Sequence, residues 1–316
     1  MSPEVVTLGE TMVLFQAESV GPLREATTFR RLIAGAETNV AIGLCRLGHT
    51  AGWIGRVGDE DFGRAVLFRL RGEGVDVSRV IVDDTAPTAV FFRERRELGP
   101  IEVLYYRRGS AASNLSPNDL DPAYIGGARY LHLTGITPAL SASCRDTVFQ
   151  AAEIAQAAGV PVLLDPNLRR KLWTLEEARA TLRDLASHCD VVLPGLDEAE
   201  LLTGETDPER AARAILALGP SLVIVKLGAE GALAVTEDER VAVPAVPLPR
   251  IVDPVGAGDA FAAGFLAGQL RGFDLATSLG LANRCGAIAT TAPGDADVFP
   301  RWDEVAAEGA LPDVRR

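Results

Sequence analysis

The sequence predicts an α/β protein: a mostly parallel sheet with helices on both faces, and a small β-sheet lid. Three observations carry this. Short β-branched runs alternate with Ala- and Leu-rich helical stretches. The strand-like runs are apolar throughout, as strands buried on both faces must be. Two regions, 14–33 and 88–108, break the rhythm and lack helical spacing.

The expected strands fall at 5–8, 51–54, 130–133, 160–164, 191–193 and 222–225. The expected helices include 39–47, 63–71, 143–158, 175–186, 208–217 and 260–270. Segments 88–95 and 101–108 read as the arms of a hairpin joined at Gly99-Pro100, with one solvated face suited to a lid. In its second arm Val103, Tyr105 and Arg107 are two apart, so a strand places them on one face. That face reads either as a substrate-facing wall or as an ordinary edge strand.

The chain has 316 residues, enough for one large domain with a small appendage. With 47% hydrophobic and 23% charged residues it has the composition of a soluble globular protein. A net charge of −12 disfavours nucleic acid and anionic membranes as partners. No apolar run is long enough to span a bilayer. Met1-Ser2-Pro3-Glu4 leads straight into a strand, so no signal peptide is expected. The four cysteines, Cys45, Cys144, Cys189 and Cys285, lie far apart without metal-ligand spacing. Reduced thiols in the cytoplasm follow. On an acidic chain, an anionic substrate requires locally gathered positive charge, which directs attention to Arg107 and Arg169.

The most informative stretch is Asp253-Pro254-Val255-Gly256-Ala257-Gly258-Asp259-Ala260-Phe261. A small-residue turn opens an apolar helix, so the amides of Gly256, Ala257 and Gly258 converge where the helix end adds partial positive charge. That arrangement suits a phosphoryl group in transfer, with Asp259 beside it to take a proton from an attacking hydroxyl. Alone, the stretch also reads as a structural turn with a capping Asp. A second Gly-rich segment, Ala34-Gly35-Ala36-Glu37-Thr38-Asn39, lets a ligand approach the backbone, with Asn39 at the helix start as a cap or a hydroxyl-binding group. After expected strand ends come Asp165-Pro166-Asn167-Leu168-Arg169, Gly195-Leu196-Asp197-Glu198, and Lys226-Leu227-Gly228-Ala229-Glu230-Gly231. Strand ends of a parallel sheet face the ligand crevice. Arg169 suits a carboxylate or phosphate, Glu198 suits Mg2+ through water, and Lys226, Gly228 and Gly231 suit a nucleotide. Neither a Gly-Lys-Ser/Thr P-loop nor a Gly-x-Gly-x-x-Gly fingerprint is present.

In this order the segments resemble the ribokinase, or phosphofructokinase-B, family of carbohydrate kinases, over nearly the whole chain. Gly35 to Gly48, with Gly55 to Gly63 behind it, matches one family signature, and Asp253 to Phe261 the other. The resemblance implies a single domain over 1–316 with the ribokinase-like three-layer α/β/α sandwich, its lid formed by 11–34 and 86–109. It implies ATP as phosphoryl donor with Mg2+. It makes Asp259 the catalytic base, with Gly256, Ala257 and Gly258 as the anion hole. Gly256, Gly258 and Asn283 join the nucleotide residues, and Asp253 marks where a monovalent cation such as K+ would sit. Glu198 matches the acid of an Asn-x-x-Glu magnesium motif, but Gly195 stands where Asn is usual. The motifs Tyr105-Tyr106-Arg107 and Asp165-x-Asn167-x-Arg169 are similar to those of 2-keto-3-deoxygluconate kinases. That implies Gly35, Ala36, Asn39, Tyr105, Arg107, Arg169 and Asp259 as substrate residues. Arg107 faces either the sugar carboxylate or the transferring phosphate. Fructokinases share much of the Asp-x-Asn-x-Arg pattern, so a neutral sugar stays as the alternative substrate. The lid implies a homo-oligomer, since exposed sheet edges pair.

Overall fold

The computed structural model of the chain describes residues 2–96, 99 and 101–306. Among the described residues, thirteen strands form two sheets. In chain order they are β1 (Val5–Leu8), β2 (Met12–Val20), β3 (Phe29–Ala34), β4 (Ala51–Gly58), β5 (Asp76–Asp83), β6 (Val90–Arg95) and β7 (Val103–Tyr106). They continue with β8 (Tyr130–Thr134), β9 (Val162–Asp165), β10 (Val191–Val192), β11 (Leu222–Lys226), β12 (Ala232–Val235) and β13 (Arg240–Val243). The large sheet has the order β13-β12-β11-β10-β9-β8-β1-β4-β5. From β11 to β5 all neighbours are parallel. β12 and β13 are antiparallel additions at one edge.

The apolar runs make sense once their two faces are separated. Val5, Leu163, Val191 and Ile224 point into the core on one side of the sheet. Val6, Leu164, Val192 and Val223 point into the core on the other. Alternate residues thus enter different cores, and no position in these runs is fully exposed. The helix Ala257–Leu270 fills the first core and is buried along most of its length. Helices Ala142–Ala158 and Leu175–Ala186 cover the second.

Several expectations need correction at their edges. β5, β12 and β13 were not expected. β5 and β13 are half exposed, so their sequences lack the continuous apolar signal. The expected helix 39–47 runs Ala36–Arg46, and 260–270 runs Ala257–Leu270. Both begin on small residues behind a glycine N-cap that makes no side-chain cap bond, so the sequence carries no capping signal there.

The regions that broke the rhythm form a four-stranded sheet of order β3-β2-β6-β7. β6 and β7 pair antiparallel, with Phe91 opposite Tyr105 and their rings stacked at 5.3 Å. Of the expected turn between them, Pro100 lies outside the described residues. Met12, Leu14, Ala34, Phe91, Val103 and Tyr105 share the face that looks onto the large sheet's crevice.

Candidate active site

Parallel strands deliver their C-terminal ends to one edge of the large sheet. Glu10 follows β1, Asp165 ends β9, Glu198 lies just past β10, and Lys226 ends β11. The small sheet covers this edge, and between them lies a cavity of about 430 Å3. It gathers Gly35, Ala36, Asn39, Tyr105, Arg107, Asn167, Arg169, Glu198, Lys226, Gly256, Gly258 and Asp259 from both parts of the sequence. A second cavity, of about 760 Å3, lies against Leu168, Gly195, Asp197, Pro208 and Gly228. Glu198 and Lys226 line both, so they mark the border between two chambers.

The turn before helix Ala257–Leu270 has the geometry of an anion cradle. Gly256 is left-handed, with φ of 79°. A Cβ there would lie 2.9 Å from an Asp295 oxygen and 3.1 Å from Phe299, so glycine is required twice over. The amides of Gly256 and Gly258 meet no acceptor among the described residues, and Ala257 has only a 3.4 Å contact to the Pro254 carbonyl. Two donors at a helix start thus remain available to a ligand, with a third, that of Ala257, held only at 3.4 Å. Gly35 plays the matching part opposite, since a Cβ there would fall 2.4 Å from the Glu10 carbonyl oxygen.

Asp259 stands in the first turn of that helix, 8% exposed. Its Oδ2 accepts from the Asn39 amide at 2.8 Å, and Asn167 approaches Oδ1 at 3.5 Å. The same Asn39 nitrogen donates to Asp295 at 2.7 Å. Asn39 is therefore not a helix cap, as one reading of the sequence had it. It lies inside the helix, with its amide N–H on the Gly35 carbonyl, and its side chain joins two carboxylates. Burial, and next the neighbouring Asp295, push Asp259 up to about 8. Burial likewise raises Asp295, to about 6. A carboxyl so poised takes a proton near neutral pH far more readily than an exposed one.

The cations differ in how they are held. Arg107 donates to Glu10, a wholly buried carboxylate that also accepts from Ser110 at 2.9 Å. Arg169 lines the cavity, and its guanidinium makes no hydrogen bond or ion pair among the described residues. Lys226 pairs with Asp165 at 2.6 Å. Glu198 accepts from the Leu168 amide and from the Gly195 amide, both at 2.7 Å. With each carboxylate oxygen already holding a donor, Glu198 is suited to a metal through water rather than directly. Asp253 is paired with Arg93 at 2.7 Å, and its other oxygen accepts from the Val255 amide at 3.1 Å.

Two of the expected nucleotide residues stand elsewhere. Asn283 lines neither cavity, and its amide is spent on the Val243 and Pro244 carbonyls, where it tethers the exit of β13. Gly231 also lines neither, and a Cβ there would meet the Val243 carbonyl at 2.1 Å. Asp295, Glu37 and Arg93 line the sugar-sized cavity without having been singled out from the sequence. Glu37 is held by Thr134 at 2.6 Å and Thr137 at 2.8 Å, and burial raises it above the usual carboxylate range. The presence of Glu37 in the Gly35 segment was readable; the approach of Asp295 and Arg93, from distant segments, had no local signal.

Comparison with known proteins agrees with this architecture. The chain is 41% identical over 308 residues to a 2-dehydro-3-deoxygluconokinase of Bacillus subtilis, covering 97% of this chain and 95% of the relative. It is 38% identical over 300 residues to one of Thermoproteus tenax, covering 94% and 91%. An Escherichia coli protein described as a ribokinase II, solved with ATP and Mg2+, superposes with a TM-score of 0.90 at 30% identity, covering 97% of this chain and 98% of the other. The family profile of pfkB carbohydrate kinases matches residues 2–302, and the chain belongs to that family.

Proposed function

We propose that the protein transfers the γ-phosphoryl group of ATP to the terminal O6 hydroxyl of 2-keto-3-deoxygluconate, releasing 2-keto-3-deoxy-6-phosphogluconate and ADP. The observation that carries this reading is Asp259 itself: a buried carboxyl raised to about 8, beside the helix-start amides of Gly256, Ala257 and Gly258, in a chamber that borders a second one. Asp259 accepts the O6 proton as O6 attacks phosphorus, and ADP leaves into the larger chamber. The Gly256, Ala257 and Gly258 amides receive the charge on the transferring group. Lys226 and Gly228 face the nucleotide. Glu198 would hold the Mg2+ of MgATP through water, where the ion would supply neutralisation of phosphate charge.

The sugar-acid assignment rests on Arg169. Among the described residues its guanidinium makes no hydrogen bond or ion pair in the cavity, and a carboxylate would engage it through two parallel bonds. Arg107 is already matched by Glu10, so it positions the Tyr105 wall more than it supplies free charge. Gly35, Ala36 and Asn39 face the sugar body. The reaction is the one named for the Bacillus and Thermoproteus relatives.

The small sheet, over 11–34 and 86–109, serves in this reading as the lid that excludes water. Its outer face exposes Leu104 and Tyr106, which supports a homo-oligomer formed through the lid, to be read by light scattering. Four free cysteines fit a reducing cytoplasm, and the charge of −12 speaks against nucleic-acid or membrane partners. Among the described residues no helix is long and apolar enough to cross a membrane.

ADP release with 2-keto-3-deoxygluconate, its galacto epimer, fructose and ribose tests the proposal. It expects the highest kcat/KM on a sugar acid. A higher value on fructose would replace it by a fructokinase, and no release with any sugar would remove the kinase reading.

A further inference from the structure

Arg93 stands on β6, in the small sheet, and is 5% exposed. Its Nε donates to Gln16 on the neighbouring strand β2. Its Nη2 crosses to the large domain and meets Asp253 at 2.7 Å, 160 residues away in sequence. Asp253 begins the anion-binding turn. Its other oxygen accepts from the Val255 amide at 3.1 Å, one residue before Gly256, and its own amide donates to the Thr290 carbonyl at 3.2 Å. The carboxylate thus fixes the entry to the turn and is itself fixed by the small sheet. Both side chains are nine-tenths buried, where an unmatched charge is costly and a matched one is held in a single geometry.

Asp253 is also the position at which the family resemblance puts a monovalent cation. The residues present do not suit that role: one carboxylate oxygen faces a guanidinium and the other a backbone amide. A second inorganic cation beside Arg93 would meet like charge in a buried setting.

We infer that Arg93 is a positioning residue for phosphoryl transfer: its guanidinium is the resident cation of Asp253, so that seating of the small sheet sets the anion-binding turn without an inorganic monovalent cation. The inference rests on the kinase reading above, but not on which sugar is accepted. Arg93 also lines the sugar-sized cavity, but its proposed part is not a substrate contact. It acts through Asp253 and the turn.

The test is ADP release by the full chain, with its preferred sugar, at constant ionic strength in potassium, sodium or tetramethylammonium chloride. The parent should vary less than about twofold in kcat among the three salts. Arg93→Ala should lose about 30-fold or more in kcat while its KM for ATP stays within about threefold, because the turn is disordered and not the nucleotide chamber. Guanidinium chloride at non-denaturing concentration, or K+, should restore a substantial part of the loss, and Arg93→Lys should lie between the two proteins. Should Arg93→Ala fail to fold by circular dichroism, the parent's salt series and Arg93→Lys still decide. A parent rate that falls more than about tenfold without K+ overturns the inference. So does Arg93→Ala with kcat within about twofold of the parent, or a folded variant whose loss no cation reverses. No ADP release with any sugar would instead be the failure of the kinase reading.

Discussion

On the small-sheet side of the cavity the arginines arrive already matched: Arg107 faces Glu10, and Arg93 faces Asp253. On the large-sheet side the balance is reversed, because Asp259 and Asp295 share one neutral amide, that of Asn39, and among the described residues the Arg169 guanidinium makes no hydrogen bond or ion pair, although its charge acts on Asp259. Matched pairs fix geometry, since neither member gains by moving or titrating. Unmatched groups keep their capacity to react or to bind. The chemistry is therefore expected on the large-sheet side, and orientation and water exclusion on the other.

The largest effect that separates these sides belongs to Asp259. Asp259→Asn should reduce kcat about a thousandfold, and retention of more than about a tenth of the rate would remove its role as essential base. The same variant should gain thermal stability relative to the parent as pH rises. Asp259 ionises near 8 in the fold against 3.8 ordinarily, so the folded state is penalised progressively between those values. Melting temperatures at pH 4 and pH 9 check this: the difference should be small at the first and favour the variant at the second.

A smaller effect should follow from the second carboxylate. Asp295 raises Asp259 by like charge, though less than burial does. In the parent, kcat/KM for the sugar should rise with pH towards a plateau above about 8. In Asp295→Asn that limb should move about one unit towards acid. An unmoved limb would mean that the two carboxylates do not share one electrostatic site.

The smallest effect concerns Gly195. Its φ is −71°, and an added Cβ would meet only a Glu198 oxygen at 3.5 Å. Space and backbone both admit Asn. Gly195→Asn should fold normally and change KM for MgATP by less than about threefold, as read by initial rates against MgATP. A loss of more than about tenfold would show that the bare Gly195 amide on Glu198 is itself required.

The sequence carried those features that have local periodicity. Val103, Tyr105 and Arg107 could be placed on one face because strand spacing is two, and all three do line the cavity. The turn around Gly256 was legible because small residues before an apolar helix have few other uses. Asn39 was misplaced because its partners, Asp259 and Asp295, are 220 and 256 residues away. Arg93 carries no local signal, being one charge among several on its strand, and the packing of the small sheet against residue 253 supplies its partner. Strands β12 and β13 escaped for another reason. β12 is wholly buried but only four residues long, and β13 alternates on an exposed edge, so neither resembles the central parallel strands.

The unmatched cation offers the most direct test of the proposed function. The measurement is the ratio of kcat/KM for 2-keto-3-deoxygluconate to that for fructose, in the parent and in Arg169→Ala. The account predicts a parent ratio well above one that falls about tenfold or more in the variant, because the sugar carboxylate loses its bidentate partner while fructose loses little. A parent ratio below one, or a ratio unchanged in Arg169→Ala, would contradict it.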